Sequence, residues 1–170
     1  IASGISAVAV GNNAKAATEG AIGVGLNSNA EGDHAIAMGD GAISQGAASA
    51  AIGHLAVTKG ESAYALGHGA EADKGGVSVG GGTITGTYGT AIGYFSDAQK
   101  SNSSAIGVGS IANKDNAVAL GSFSTTDANA TAETTAKITT QIKDGNTYVD
   151  QDLIFGNFAG QAADAGMQVS

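Results

Sequence analysis

His54 and His68 come closest to carrying chemistry. Each directly follows a glycine, and they stand 14 residues apart, so in a chain that winds with that period they occupy adjacent coils. Two imidazoles stacked at strand spacing could share a metal ion, but such a site needs further ligands and partners that orient them, and none recurs beside this pair. Two exposed histidines at a turn explain the pattern, and no metal or cofactor is expected. There is no Cys to act as nucleophile, and the acidic residues stand scattered without a nucleophile and base at a recognisable spacing, so no catalytic residue is expected. The Gly23-Val24-Gly25 run sits inside a strand pattern and lacks the helix and Lys-Ser/Thr pair of a phosphate loop. Calcium-binding solenoids repeat an Asp at fixed phase, which is missing here. Thr58, Thr83 and Thr85 do not recur coil after coil as an ice-binding ladder would require.

Composition narrows the classes further. The 170 residues include 28 Gly and no Pro, Cys or Trp, and much of the 42% hydrophobic content is Ala, so little apolar volume is available for a thick core. Seven basic against 15 acidic residues give a net charge of −8, which argues against nucleic acid, whose binding rests on Lys and Arg neutralising phosphates. No run approaches the roughly 18 apolar residues of a membrane helix. The opening residues lack the zones of a signal peptide. Any export signal or anchor is expected outside this sequence.

The chemistry-poor residues are organised by a repeat. Glycines that close a motif stand at Gly11, Gly25, Gly39, Gly53, Gly67, Gly80, Gly93, Gly109 and Gly121, with spacings of 14, 14, 14, 14, 13, 13, 16 and 12. Before each glycine, large apolar residues hold one parity (Val8 and Val10, Ile22 and Val24, Ile36 and Met38) and small residues the other. Period two predicts a strand. A second short strand follows each glycine, and recurring glycines at Gly4, Gly32, Gly46, Gly60 and Gly86 mark the other corner. Equivalent strands of successive coils should stack in parallel about 4.8 Å apart, making a roll on the order of 40 Å long. The large ladder is expected inside. The small ladder, Ala9, Ala37, Ala51, Ala65, Ala91 and Ala119, is expected to lie against another protein surface, since small residues let a backbone approach closely and an exposed strand face normally carries polar groups. A slender scaffold that uses Ala only for tight turns is the alternative.

The series "SAVAVG", "HAIAMG", "SAYALG" and "NAVALG" resembles the head repeats of YadA-like trimeric autotransporter adhesins of Gram-negative bacteria. The resemblance covers residues 1–126. It implies an all-β, left-handed parallel β-roll of about nine 14-residue coils, packed as a homotrimer and displayed at the bacterial cell surface through a separate outer-membrane barrel. It implies a non-enzymatic adhesin head that attaches bacteria to extracellular-matrix proteins such as collagen, fibronectin or laminin, or to host receptors including the carcinoembryonic-antigen-related family. The alternatives are a structural spacer that holds a distal binding domain away from the membrane, or self-aggregation.

The step from Gly93 to Gly109 departs from the pattern. It is 16 residues long and contains "YFSDAQKSNSS", and loops that vary on a uniform scaffold are where recognition concentrates. Tyr94, Phe95, Gln99 and Lys100 are therefore the candidate receptor-binding residues, with large side chains at other corners, such as Leu55, beside them. A bulge in the roll capped by Tyr94 and Phe95 is the competing explanation.

Residues 127–170 form a different segment, read as an insertion or cap. The stretch from 127 to 137 suits a helical turn or a loop. Asp144 and Gly145 between two Thr- and Ile-rich runs signal a hairpin. Leu153, Ile154, Phe155 and Phe158 are expected to pack this piece against the open end of the roll, whose unpaired edges need covering. The final "GMQVS" looks like a return to the strand pattern, leading toward a neck outside the sequence.

Overall fold

The computed structural model describes residues 1–126, 135–144, 147–157 and 167–169, the last three segments as backbone only. Every regular element in them is a strand. The short alternating runs form three-residue strands from Val8–Val10 to Val118–Leu120, and each pairs in parallel with the equivalent strand of the next coil, as in Val8 opposite Ile22 and Ile22 opposite Ile36. With Met167–Val169 they make a ten-stranded sheet. Two-residue strands from Lys15–Ala16 to Asp97–Ala98 form a parallel seven-stranded sheet, which single bridges extend through Ile111 to Thr125. The parallel solenoid expected from the repeat is thus the observed fold.

The corners are also laddered. The Gly25 N–H donates to the Val10 carbonyl at 2.8 Å, and the Gly39 N–H to that of Val24 at 2.8 Å. At this corner Gly25 has φ 130°, and a Cβ there would strike the Gly39 carbonyl of the next coil, so only glycine fits. The two 13-residue steps arise at the opposite corner, where the Gly75 N–H bonds the Glu61 carbonyl and the Tyr88 N–H that of Lys74, with one residue fewer in the turn.

Two expectations fail. The glycine equivalent to Gly93 is Gly107 and not Gly109. Ile92 pairs with Ile106, and the Gly107 N–H donates to the Ile92 carbonyl at 2.8 Å. Gly93, Gly107 and Gly121 are then evenly 14 residues apart, so the long excursion and the short coil after it vanish. Gly107-Val108-Gly109 offers two glycines to an alignment, and the hydrogen-bond register selects the first.

The second failure concerns which parity faces in. Ala37, Ala51, Ala65, Ala91 and Ala119 are fully buried inside the coil, and Ala9 at the first turn packs on the same core. They cannot touch a sister copy. Opposite them Ala14, Ala42, Ala56, Ser28, Ser96 and their equivalents, each immediately before a second strand, are also buried. Among the described residues the bulkiest fully buried side chains are threonines, namely Thr58, Thr83 and Thr85. The winding is too tight to admit Val or Ile. Most buried hydroxyls find partners. Ser44, Ser49 and Thr58 do so mutually at 2.7–3.0 Å, and Ser49 also donates to the Gly46 carbonyl at 2.7 Å.

Contacts divide the chain into Ile1–Ala128 with Asp164–Ser170, and Asn129–Ala163. Met167–Val169 pairs in parallel with Val118–Leu120, so the chain re-enters the first sheet as its tenth strand, and the intervening segment is an insertion between coils. Within that segment Thr135–Asp144 and Thr147–Asn157 form an antiparallel ribbon, with Asp144 opposite Thr147. The two runs on either side of the expected Asp144-Gly145 turn pair with each other, with Asp144 the last residue of the first strand, while Gly145, the stretch 127–134 and Phe158 lie outside the described residues. So does the packing expected of Leu153, Ile154 and Phe155.

Candidate binding surfaces

Because the interior takes only small side chains, the large ones of each first strand point outward. Val8, Val10, Met38, Tyr64, Leu66, Ile92 and Ile106 are exposed, and Ile22, Ile36, Ile52 and Val79 are half-buried by their neighbours along the ladder. One apolar column, from Val10 to Leu120, therefore runs along the outer face of the first sheet, and the column beside it, from Val8 to Val118, is interrupted by Ala50, Thr90 and Ser104. The second sheet differs, since its outward column mixes Lys15, Asn29, Glu71 and Asp97 with Ile43, Val57 and Ile84. Exposed apolar area this continuous marks an interaction surface.

A second feature lies on the corner that follows each first strand. Phe95 has φ 53° and Phe123 φ 60°, in the left-handed region that bulky residues rarely adopt. Each lies across a glycine of the preceding coil: a Cβ on Gly82 would meet the Phe95 ring at 2.5 Å, and one on Gly109 the Phe123 ring at 3.0 Å. Leu55 covers Gly41 in the same way, and at the opposite corner Tyr88 covers Gly75. Tyr94 lies over Gly81 and meets Phe95 edge-on, with ring centroids 4.3 Å apart at 66°. Tyr94 and Phe95 are each 58% exposed and Phe123 is 78% exposed. With Val108 between them they form an aromatic ridge on three successive coils. No bulge is needed to explain them, because the ladder is regular on both sides.

Gln99 and Lys100 do not join that ridge. The strand Asp97–Ala98 separates them from it, so they stand at the opposite corner. The backbone N–H and side-chain amide of Gln99 donate to the Asp97 carboxylate at 3.2 and 2.8 Å. The four residues grouped from the sequence as candidates therefore stand at two different corners. Phe123 and Val108 complete the first and were missed there. The signal for Phe123 was present: a large residue two places after a repeat glycine, with Gly109 at the same place one coil earlier.

His54 and His68 do stack on adjacent coils, with ring centroids 5.0 Å apart and 26° between planes. Both are exposed, and no group of three His, Cys, Asp or Glu able to hold a metal occurs among the described residues. Among the described residues the one clear pKa displacement is at Lys59, whose side-chain hydrogen bond to Glu71 raises it despite the opposing effect of burial. No helix among the described residues is long and apolar enough to cross a membrane.

Residues 2–28, 19–42, 30–56, 85–107 and 98–124, together more than half of the chain, match the family described as YadA head domain repeat. Among solved structures, the collagen-binding domain of the Yersinia adhesin YadA aligns with a TM-score of 0.58 and 35% identity, covering 74% of this chain. The chain spans 64% of that domain's length. Among curated proteins none matches.

Proposed function

The chain belongs to the family of YadA head repeats, and from that premise we propose that it is the adhesive head of a surface-anchored bacterial protein, three copies side by side, that attaches the cell to extracellular matrix. The family consists of outer-membrane-anchored surface adhesins, so an adhesin-type role without enzymatic chemistry follows from membership. The finer reading, a matrix protein of the collagen type as ligand, rests on one observation: 35% identity over 74% of the chain to a domain named for collagen binding.

The outward apolar ladder supports the assembly. A coil filled with Ala, Ser and Thr gains little hydrophobic stabilisation from its own core, at about 0.8 kcal/mol per buried methylene. The larger Val, Ile, Leu and Met side chains stand outside it, where only another surface can cover them. Sister copies laid ladder against ladder would bury them. The interface proposed here is therefore the face built on Val10, Val24, Met38, Ile52, Leu66 and Ile92, in place of the alanine face that the sequence suggested. The ridge of Tyr94, Phe95, Val108 and Phe123 is the proposed ligand contact, because it stays at a corner when the sheet face is covered. Three copies on one anchor multiply a weak contact.

Surface plasmon resonance of the chain over immobilised fibrillar collagen, fibronectin and laminin tests this. Saturable binding to collagen, weakened about a hundredfold by replacing Tyr94, Phe95 and Phe123 together with Ser, is expected, each anchor being worth roughly 1 kcal/mol. Normal attachment of cells whose surface protein lacks this head would show instead that it is a spacer.

A further inference from the structure

Five lysines lie among residues 1–126, and two of them are ion-paired, Lys59 with Glu71 and Lys74 with Glu61 at 3.8 Å. Lys100 and Lys114 are paired with no carboxylate within 4.0 Å. They occupy equivalent corner places on consecutive coils. The turns that carry them are joined by the Asn116 N–H to the Ser101 carbonyl at 2.9 Å and by the Asn102 amide to Asn116 Oδ1 at 3.4 Å. The backbones of the two lysines thus stand one rung apart, about 4.8 Å between strands. Like charges placed opposite each other destabilise a ladder. In a protein of net charge −8, this is the place among the described residues where two lysines on consecutive coils have no ion-pair partner.

Lys100, Asn113, Lys114, Asp115 and Asn116 line a depression of about 450 Å³. Its acceptors are largely engaged: Asp115 Oδ1 accepts from the Ser101 N–H at 3.0 Å, Asn113 Oδ1 from the Thr126 hydroxyl at 2.9 Å, and Asn116 Oδ1 from Asn102. Its donors are not. The ammonium groups of Lys100 and Lys114 and the amide nitrogens of Asn113 and Asn116, all on residues that line the depression, have no protein acceptor. A site rich in donors, with no apolar or aromatic wall, fits a ligand that is all acceptors and hydroxyls.

We propose that this corner binds an acidic saccharide, with a carboxylate or sulfate held between Lys100 and Lys114 and the two asparagine amides donating to neighbouring oxygens. The charge-assisted contacts supply affinity, and the amides supply selection for a sugar over a bare ion. The site lies across the second strand from the aromatic ridge and does not depend on the collagen reading.

Isothermal titration of the 170-residue chain at low salt tests it. The probes are a heparin-derived hexasaccharide, a hyaluronan hexasaccharide and neutral maltohexaose, the first two separating sulfate from carboxylate. Binding of at least one acidic probe is expected, with none of maltohexaose. Lys100→Gln and Lys114→Gln should each weaken it about tenfold, as for loss of a hydrogen bond to a charged group. Lys15→Gln, which removes an equal charge elsewhere, should change it less than about twofold, and Asp115→Asn should leave it equal or tighter. Silence of both acidic probes would overturn the proposal, as would equal losses in Lys15→Gln and Lys100→Gln. Tighter binding of poly-glutamate than of either saccharide would assign the corner to an acidic peptide instead. Circular dichroism of each variant, unchanged for these surface residues, excludes misfolding as the cause.

Discussion

Phe95 occupies the space above Gly82: a methyl group on that glycine would come within 2.5 Å of the ring. The phenylalanine sits at φ 53° on one coil, and the glycine sits at φ 64° at the equivalent place on the coil before. A left-handed backbone costs a non-glycine residue about 1–2 kcal/mol. Contact with the bare backbone below offsets part of that cost. Repeating the device with Phe123 and Gly109 holds aromatic rings outward on an otherwise plain scaffold.

Gly82→Ala should therefore destabilise the roll by about 2–4 kcal/mol, since the backbone cost is joined by displacement of Phe95. Gly69→Ala is the control, because its φ is 62° and a Cβ there meets nothing within 4 Å. It should lose only about 1–2 kcal/mol. Urea unfolding of the two variants gives the comparison, and equal losses would mean that Phe95 does not rest on Gly82.

Interior hydroxyls give opposite results according to their partners. Ser49 bonds Ser44, Thr58 and the Gly46 carbonyl, so Ser49→Ala should cost about 1–3 kcal/mol by stranding buried groups. Ser78 Oγ is buried with no hydrogen-bond partner. Ser78→Ala should be neutral or stabilise by up to about 1 kcal/mol, read as a higher thermal midpoint.

Tightness of the interior makes enlargement costly. Ala65→Val adds two methyl groups at a fully buried position and should destabilise by about 1–3 kcal/mol in chemical unfolding. An unchanged midpoint would mean that the two sheets can move apart.

The Lys59–Glu71 pair gives a pH signature. Its hydrogen bond raises the folded-state pKa of Lys59 above the ordinary lysine value of about 10.4. The pair's contribution is thus fully present below that pH and is lost as pH rises through the higher folded-state value. Both side chains are more than a third exposed, so Glu71→Gln should cost under about 1 kcal/mol near neutrality. Thermal midpoints of variant and wild type should converge in strong alkali.

The coil length, the strands and their parallel stacking were legible from the period-two pattern between glycines. The direction of the side chains was not, because the usual rule places large apolar residues inside. The rule fails where two strands per coil come too close for Val or Ile. A cue existed: the second strand carries Lys15, Asn29, Glu71 and Asp97 on one parity, so its small parity must face in, and Ala14 or Ser28 then leaves room only for Ala9 or Gly23 across the roll. The proposed binding residues were half legible. Tyr94 and Phe95 drew notice through a supposed irregularity that the ladder removes, and their real distinction is position over glycines. Lys100 belongs to another corner, which only the winding reveals.

Sedimentation equilibrium of the chain carrying Ile52→Asp with Leu66→Asp decides whether the outward ladder is the covered face. Wild type should sediment at three times its monomer mass. The double variant should sediment at the monomer mass with its β circular dichroism intact, while Ala51→Asp, at the buried position beside Ile52, should unfold. A wild type that stays monomeric at its highest soluble concentration would contradict this reading, as would a double variant that still forms the trimer.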